Sequence, residues 1–128
     1  MASREVPAGK IPPQSLDAEK SLLGAVLIDD ETLADITEHV NPKDFYDKRH
    51  GLVFGAMMRL YEKHKPVDLL TLTDELKRKK ELETIGGSAY LTELTTYVPT
   101  SAHAETYAEM VAQTAVRRRL IKASGDIS

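Results

Sequence analysis

Residues 104–127 read AETYAEMVAQTAVRRRLIKASGDI. Small and branched apolar residues recur there at three- and four-residue spacing: Ala104, Ala108, Val111, Ala112, Ala115, Val116, Leu120, Ala123 and Ile127. That is the period of an α-helix with one buried stripe. Opened by Thr100 or Ser101 and run to the end of the chain, the helix spans about 40 Å at ~1.5 Å per residue. One rod of that length overhangs a domain of this size, so its stripe needs a cover. Either it packs wholly on its own domain, or its distal half awaits a further helix or a partner subunit. We expect the second, and with it a chain that is the front part of something longer.

Working back from that helix, the other segments show the same period. Ser15 is placed to cap a helix from Leu16 bearing Ala18, Leu22, Leu23, Val26 and Leu27. Asp29-Asp30 ends it and offers caps to a short helix marked by Leu33, Ile36 and Val40, which Asn41-Pro42 breaks. Lys43–Tyr46 reads as one turn. A longer helix follows over about 48–64, with Leu52, Val53, Ala56, Met57, Leu60 and Tyr61 on one side and Pro66 as its stop. Asp68 caps a helix through about Lys79, Gly86-Gly87 is a loop, and Ser88 caps a short helix with Tyr90, Leu91 and Leu94 that ends before Pro99. No segment alternates as a strand does. The fold class is all-α, a small irregular or orthogonal bundle of about six helices with a long final one. We divide it into a flexible tail at 1–14, where Pro7, Gly9, Pro12 and Pro13 oppose helix, a bundle at 15–100, and the final helix at 101–128.

The chain has 128 residues, 41% of them hydrophobic, and a formal charge of −3. Its longest apolar run, near Leu22–Ile28, is far short of the ~18 residues of a spanning helix. The opening ten residues have no apolar secretory core, so the expected location is the cytoplasm. Cysteine is absent, which removes disulfides, thiolate metal sites and cysteine nucleophiles. Residues 15–114 carry 11 basic and 18 acidic side chains, a local charge of −7, whereas Arg117, Arg118, Arg119 and Lys122 make 115–128 basic. That balance opposes bulk wrapping of nucleic acid. The knot Lys77–Lys80 reads as cations at a helix C-terminus rather than as a phosphate site.

Chemistry of other kinds is missing. Gly9-Lys10 fails as a phosphate loop because Arg4 stands where a glycine is needed and Ile11 where Ser or Thr is needed. His39, His50, His64 and His103 lack metal-ligand spacing, and His50 reads as a structural hydrogen-bonding group rather than a base. Asp29-Asp30-Glu31 reads as capping rather than a cation site. The seven Phe and Tyr residues are spaced for a core, not a base-stacking platform. The residues argue for a helical interaction module without a catalytic centre, needing no cofactor of its own.

Several motifs in order resemble one family. Ile11-Pro12-Pro13-Gln14-Ser15-Leu16-Asp17-Ala18-Glu19, then Leu23-Gly24-Ala25-Val26-Leu27-Ile28-Asp29, is similar to the opening of bacterial replicative DNA helicases of the DnaB type. The similarity continues through Asp44-Phe45-Tyr46, His50, Phe54, Ala56-Met57, Pro66-Val67-Asp68, Gly86-Gly87, Tyr90-Leu91, Val98-Pro99-Thr100 and Tyr107-Ala108. Lys20 and Gly51 depart from the usual family residues, and Gly55 adds a second glycine to its helix at a cost of about 1 kcal/mol relative to Ala. The resemblance implies an N-terminal domain whose long helix is the first arm of a truncated helical hairpin. It further implies self-pairing into a trimer of dimers, a collar on a hexameric ring, and docking of primase and a helicase loader. The implied interface residues are Tyr107, Val111, Ala115, Val116, Arg117, Arg118, Leu120 and Ile121, with Arg119 joining the two preceding arginines as rim contacts. ATP and Mg²⁺ belong to a motor domain outside these residues, and single-stranded DNA passes through the assembled ring with weak or no binding to this domain. Two other readings stay open: a direct single-stranded DNA binder using Lys77–Lys80 and Arg117–Lys122, or a helicase-binding domain of primase or a loader.

Overall fold

A computed structural model describes residues 14–124, so the expected tail at its first thirteen positions, Gly125 and Ile127 lie outside the described residues. Within them the chain is all-helical, with seven α-helices: α1 Leu16–Ile28, α2 Leu33–Ile36, α3 Lys48–Glu62, α4 Leu69–Arg78, α5 Leu82–Ile85, α6 Gly87–Thr95 and α7 Ala104–Ala123. Short 3₁₀ turns, Asp30–Thr32 and Pro42–Asp44, precede α2 and α3.

Helix α1 is the axis of the bundle. The Ser15 hydroxyl accepts the Ala18 N–H at 3.3 Å, as its position before the first apolar residue predicts. From Ala18 to Val26 the helix is buried nearly all round, against α7, α6 and α3. Its glycine has a steric reason: a Cβ at Gly24 would lie 2.5 Å from the Leu94 carbonyl oxygen, so only glycine lets α1 and α6 come this close. Helix α3 adds Val53, Phe54, Ala56, Met57 and Leu60 to the core, with the Phe45 and Phe54 rings 5.2 Å apart. Asp68 caps α4 reciprocally with Thr71, and α4 turns Leu72 and Leu76 inward.

Three boundaries differ from expectation. Residues 82–85 form a separate turn of helix, α5, because Lys80 adopts a left-handed conformation (φ 60°) that ends α4 and redirects the chain. Ser88 lies inside α6, which starts one residue earlier with no side-chain cap. Helix α7 opens at Ala104, and the Thr100 hydroxyl instead accepts the Ala102 N–H within the preceding turn. The described part of α7 is 20 residues, or about 30 Å at ~1.5 Å per residue.

Candidate protein–protein interface

Helix α7 carries apolar residues on two opposite faces. Ala104, Ala108, Val111 and Ala115 are buried against the bundle. Half a turn away, on the solvent side, Met110, Val116, Leu120 and Ile121 are 42, 48, 64 and 43% exposed. A helix apolar on two sides is built to be covered twice, and its own bundle covers it once. A shallow depression lined by Ala112, Gln113, Val116 and Arg117 lies on the uncovered side.

The expected interface residues therefore divide. Val116, Arg117, Leu120 and Ile121 stand on the open face. Val111 and Ala115 are sealed in the core and are not available to a partner. This corrects the expectation that these two belong to the interface: the proximal half of the stripe packs on the domain itself. Tyr107 is half-buried and packs on the core, with its ring edge-on to His103 at 6.4 Å between centroids. Arg118 and Arg119 turn away from the open face. Arg118 donates to the Asp44 carbonyl oxygen at 2.7 Å, and its guanidinium lies 5.5 Å from the Tyr46 ring centroid. Arg119 donates to the Asp44 carboxylate. Met110 was not among the expected residues, yet the signal was present. It lies six residues before Val116 and three before Gln113, on the side opposite the alanines.

Behind this face sits a buried polar junction. Glu19 of α1 is buried, and its carboxylate accepts the backbone N–H of Tyr46 at 2.6 Å and of Asp47 at 3.3 Å. The same carboxylate takes the Nδ1–H of fully buried His50 at 2.7 Å. Since a carboxylate only accepts, Nδ1 carries the proton, and in the neutral imidazole Nε2 accepts from the Tyr90 hydroxyl at 2.6 Å. The junction thus ties α1, α3 and α6 together, and His50 fills the structural role expected of it. Burial pushes the Tyr90 phenol up, against the opposing pull of Arg49, whose guanidinium lies 4.6 Å from the Tyr90 ring centroid. Arg49 also pairs with Asp47 at 2.8 Å and holds that carboxyl below its usual range. Asp47 caps α3.

The remaining sequence candidates are structural. Asp29 caps the Asp30–Thr32 turn and Asp30 accepts the Val67 N–H at 2.8 Å. Lys77 and Arg78 fall in the last turn of α4, where Arg78 pairs with Glu75. Among the described residues no group of three or more His, Asp or Glu could hold a metal, and no helix is long and apolar enough to cross a membrane.

Seven helices packed around α1, with a buried polar junction and a final helix partly apolar on its outer side, define the class: a small all-α bundle domain. The comparisons with known proteins give that class a family. The model of the DnaB-like helicase N-terminal domain matches residues 11–113, and the chain belongs to that family. The replicative DNA helicase DnaB of Geobacillus stearothermophilus is 45% identical over 119 residues, which are 93% of this chain and 26% of that protein. That of Leifsonia xyli is 43% identical over 119 residues, again 26% of its length. The chain thus spans about a quarter of these two relatives, and 12% of the DnaB of Rhodothermus marinus, to which it is 44% identical over 113 residues. The crystal structure of the N-terminal domain of DnaB helicase from Mycobacterium tuberculosis superposes with a TM-score of 0.87 at 43% identity, covering 89% of this chain and 79% of that one. The N-terminal domain of DnaB helicase from Helicobacter pylori, a structure described together with its interactions with primase, shares the fold at a TM-score of 0.73 and 20% identity, covering 87% of this chain and 86% of that one.

Proposed function

We propose that this domain pairs with copies of itself through the open face of α7 and, as the collar of a replicative helicase, docks primase and a loader. The carrying observation is the exposure of Met110, Val116, Leu120 and Ile121 on a helix whose other side is already packed. The face is also self-complementary. Thr106, Gln113 and Leu120 are spaced seven residues apart along its centre. In an antiparallel pair about Gln113, Met110 meets Val116 of the second copy and Glu109 meets its Arg117, which is the isologous contact a two-fold dimer needs. In the full assembly such dimers make a trimer of dimers in the cytoplasm. ATP hydrolysis with Mg²⁺ and the unwinding of DNA belong to parts of the helicase beyond the quarter that this chain matches, since no phosphate loop occurs in these residues.

Direct binding of single-stranded DNA is the less favoured reading. Arg118 and Arg119 are engaged with Asp44, and the charge of −7 over residues 15–114 repels phosphate.

Sedimentation equilibrium over a concentration series tests the proposal. The wild type shifts from monomer toward dimer, Leu120→Asp stays monomeric with an unchanged helical spectrum, and Leu70→Asp, altered at an exposed leucine off α7, behaves as wild type. Added primase yields a heavier species with the wild type. A wild type that is monomeric throughout, or a Leu120→Asp variant that associates as well as wild type, refutes the self-pairing.

A further inference from the structure

We propose that Asp44, Arg118 and Arg119 form a latch that fixes the direction of the overhanging half of α7, and so the direction in which its open face points. The last side chain of α7 buried in the bundle is Ala115; from Val116 to Ser124 none is buried. Over that stretch, among the described residues, Arg118 and Arg119 bond to the bundle. One guanidinium donates to the Asp44 carbonyl at 2.7 Å and lies against the Tyr46 ring. The other donates to the Asp44 carboxylate.

The receiving end is held firmly. Asp44 is 4% exposed, and its second carboxylate oxygen accepts the Asn41 N–H at 3.0 Å, while the Asn41 side chain accepts the Lys43 N–H at 3.0 Å. On the far side, the Tyr46 and Asp47 N–H groups are fixed by buried Glu19. From below, the first turn of α3 presses on the strap: a Cβ at Gly51 would lie 2.9 Å from the Pro42 carbonyl oxygen. Residues 41–47 are therefore a taut strap with α1 holding one side and two arginines of α7 the other. Arginine suits this use because its rigid fork of donors fixes orientation as well as distance. The residues act as positioning groups, through the helix they hold. The functional consequence rests on the self-pairing proposed above; the latch itself does not, and its test is made on the monomer.

The chain has no cysteine, so Glu62→Cys and Lys122→Cys, both at exposed positions, accept a pair of spin labels whose separation reports the direction of α7. At a concentration where the protein is monomeric, the labelled parent gives a narrow distance distribution. Arg118→Met with Arg119→Met widens it about twofold and lowers hydrogen-exchange protection of amides 116–122 by about tenfold, and it also lowers thermal stability, because the Asp44 carboxylate, 4% exposed, loses its guanidinium partner. Lysine at both positions keeps the cations and widens it less. Asp44→Asn, which keeps the shape of the side chain, reproduces the widening should the double variant not fold. A folded double-Met variant with unchanged distances and exchange overturns the latch, as does equal widening by lysine. Loss of self-pairing in a wild type that still shows the latch would count against the proposed function alone.

Discussion

Glu19→Ala is the substitution that asks most of this fold. The carboxylate satisfies three donors at once: Tyr46 N–H at 2.6 Å, Asp47 N–H at 3.3 Å and His50 Nδ1–H at 2.7 Å. Alanine leaves all three without a protein partner, in a place where His50 is fully buried. A stranded buried donor costs about 1–3 kcal/mol. Asp47 lies nearer solvent and recovers part of its share from water, so the sum is about 3–5 kcal/mol, a large part of the ~5–15 kcal/mol that holds a domain together. Tyr90→Phe removes only the outer bond of the chain and costs about 1 kcal/mol. Urea denaturation followed by far-ultraviolet circular dichroism measures both, with the slope against urea held equal. A loss below about 1 kcal/mol for Glu19→Ala would refute the claim that this carboxylate organises the junction of α1, α3 and α6.

Acid should weaken the α3–α4 contact. Burial raises the Glu75 carboxyl, but hydrogen bonds from Arg59 at 2.6 Å and Arg78 at 2.9 Å outweigh it and bring it down to about 2. The stability it supplies is present above the unfolded value of 4.5 and is lost as pH falls toward 2. The ceiling is roughly 3 kcal/mol, and screening at the half-exposed Arg78 reduces the expected loss to about 1–2 kcal/mol; in Glu75→Gln the urea midpoint should depend less on pH over that window. The two glycines of α3 should answer oppositely to alanine. Gly55→Ala meets nothing closer than 3.9 Å and raises the melting temperature by roughly 3–5 °C through helix propensity. Gly51→Ala lowers it, because its Cβ strikes the Pro42 carbonyl.

The helical class, the caps at Ser15 and Asp68 and the inward row of α1 were legible because each depends on neighbours within one or two turns. Boundaries that depend on a backbone choice were not: nothing in Lys79-Lys80-Glu81 announces that Lys80 turns left-handed and starts α5. Of the candidate surface, the open half of α7 was readable from periodicity. The point at which its stripe divides, after Ala115, was not, because which turn of a helix meets its own bundle is a tertiary fact. The buried carboxylates left a trace that went unread as structure. Glu19 occupies the first place in the set Glu19, Leu22, Leu23, Val26, and Glu75 adjoins Leu72 and Leu76. A lone acid on an apolar stripe marks a buried junction, and the partners of Glu19, 27 or more residues away in sequence, are what sequence spacing cannot supply.

That placement of charge has a physical logic. The buried face of α7 is mostly alanine, with Ala104, Ala108 and Ala115 beside the single larger Val111. Alanines form low ridges, which allow close approach of α1 but resist sliding and rotation poorly, since there is little for a groove to grip. A helix seated on such a face is well held against separation and weakly held in direction. Larger core residues could have supplied the grip only by pushing α7 away from α1. Carboxylate–guanidinium contacts at the rim hold direction without adding bulk, since the planar fork of donors fixes orientation as well as distance. Asp44 stands where that grip is needed, one helical turn past Ala115, at the point where apolar packing on the bundle ends and the open face begins.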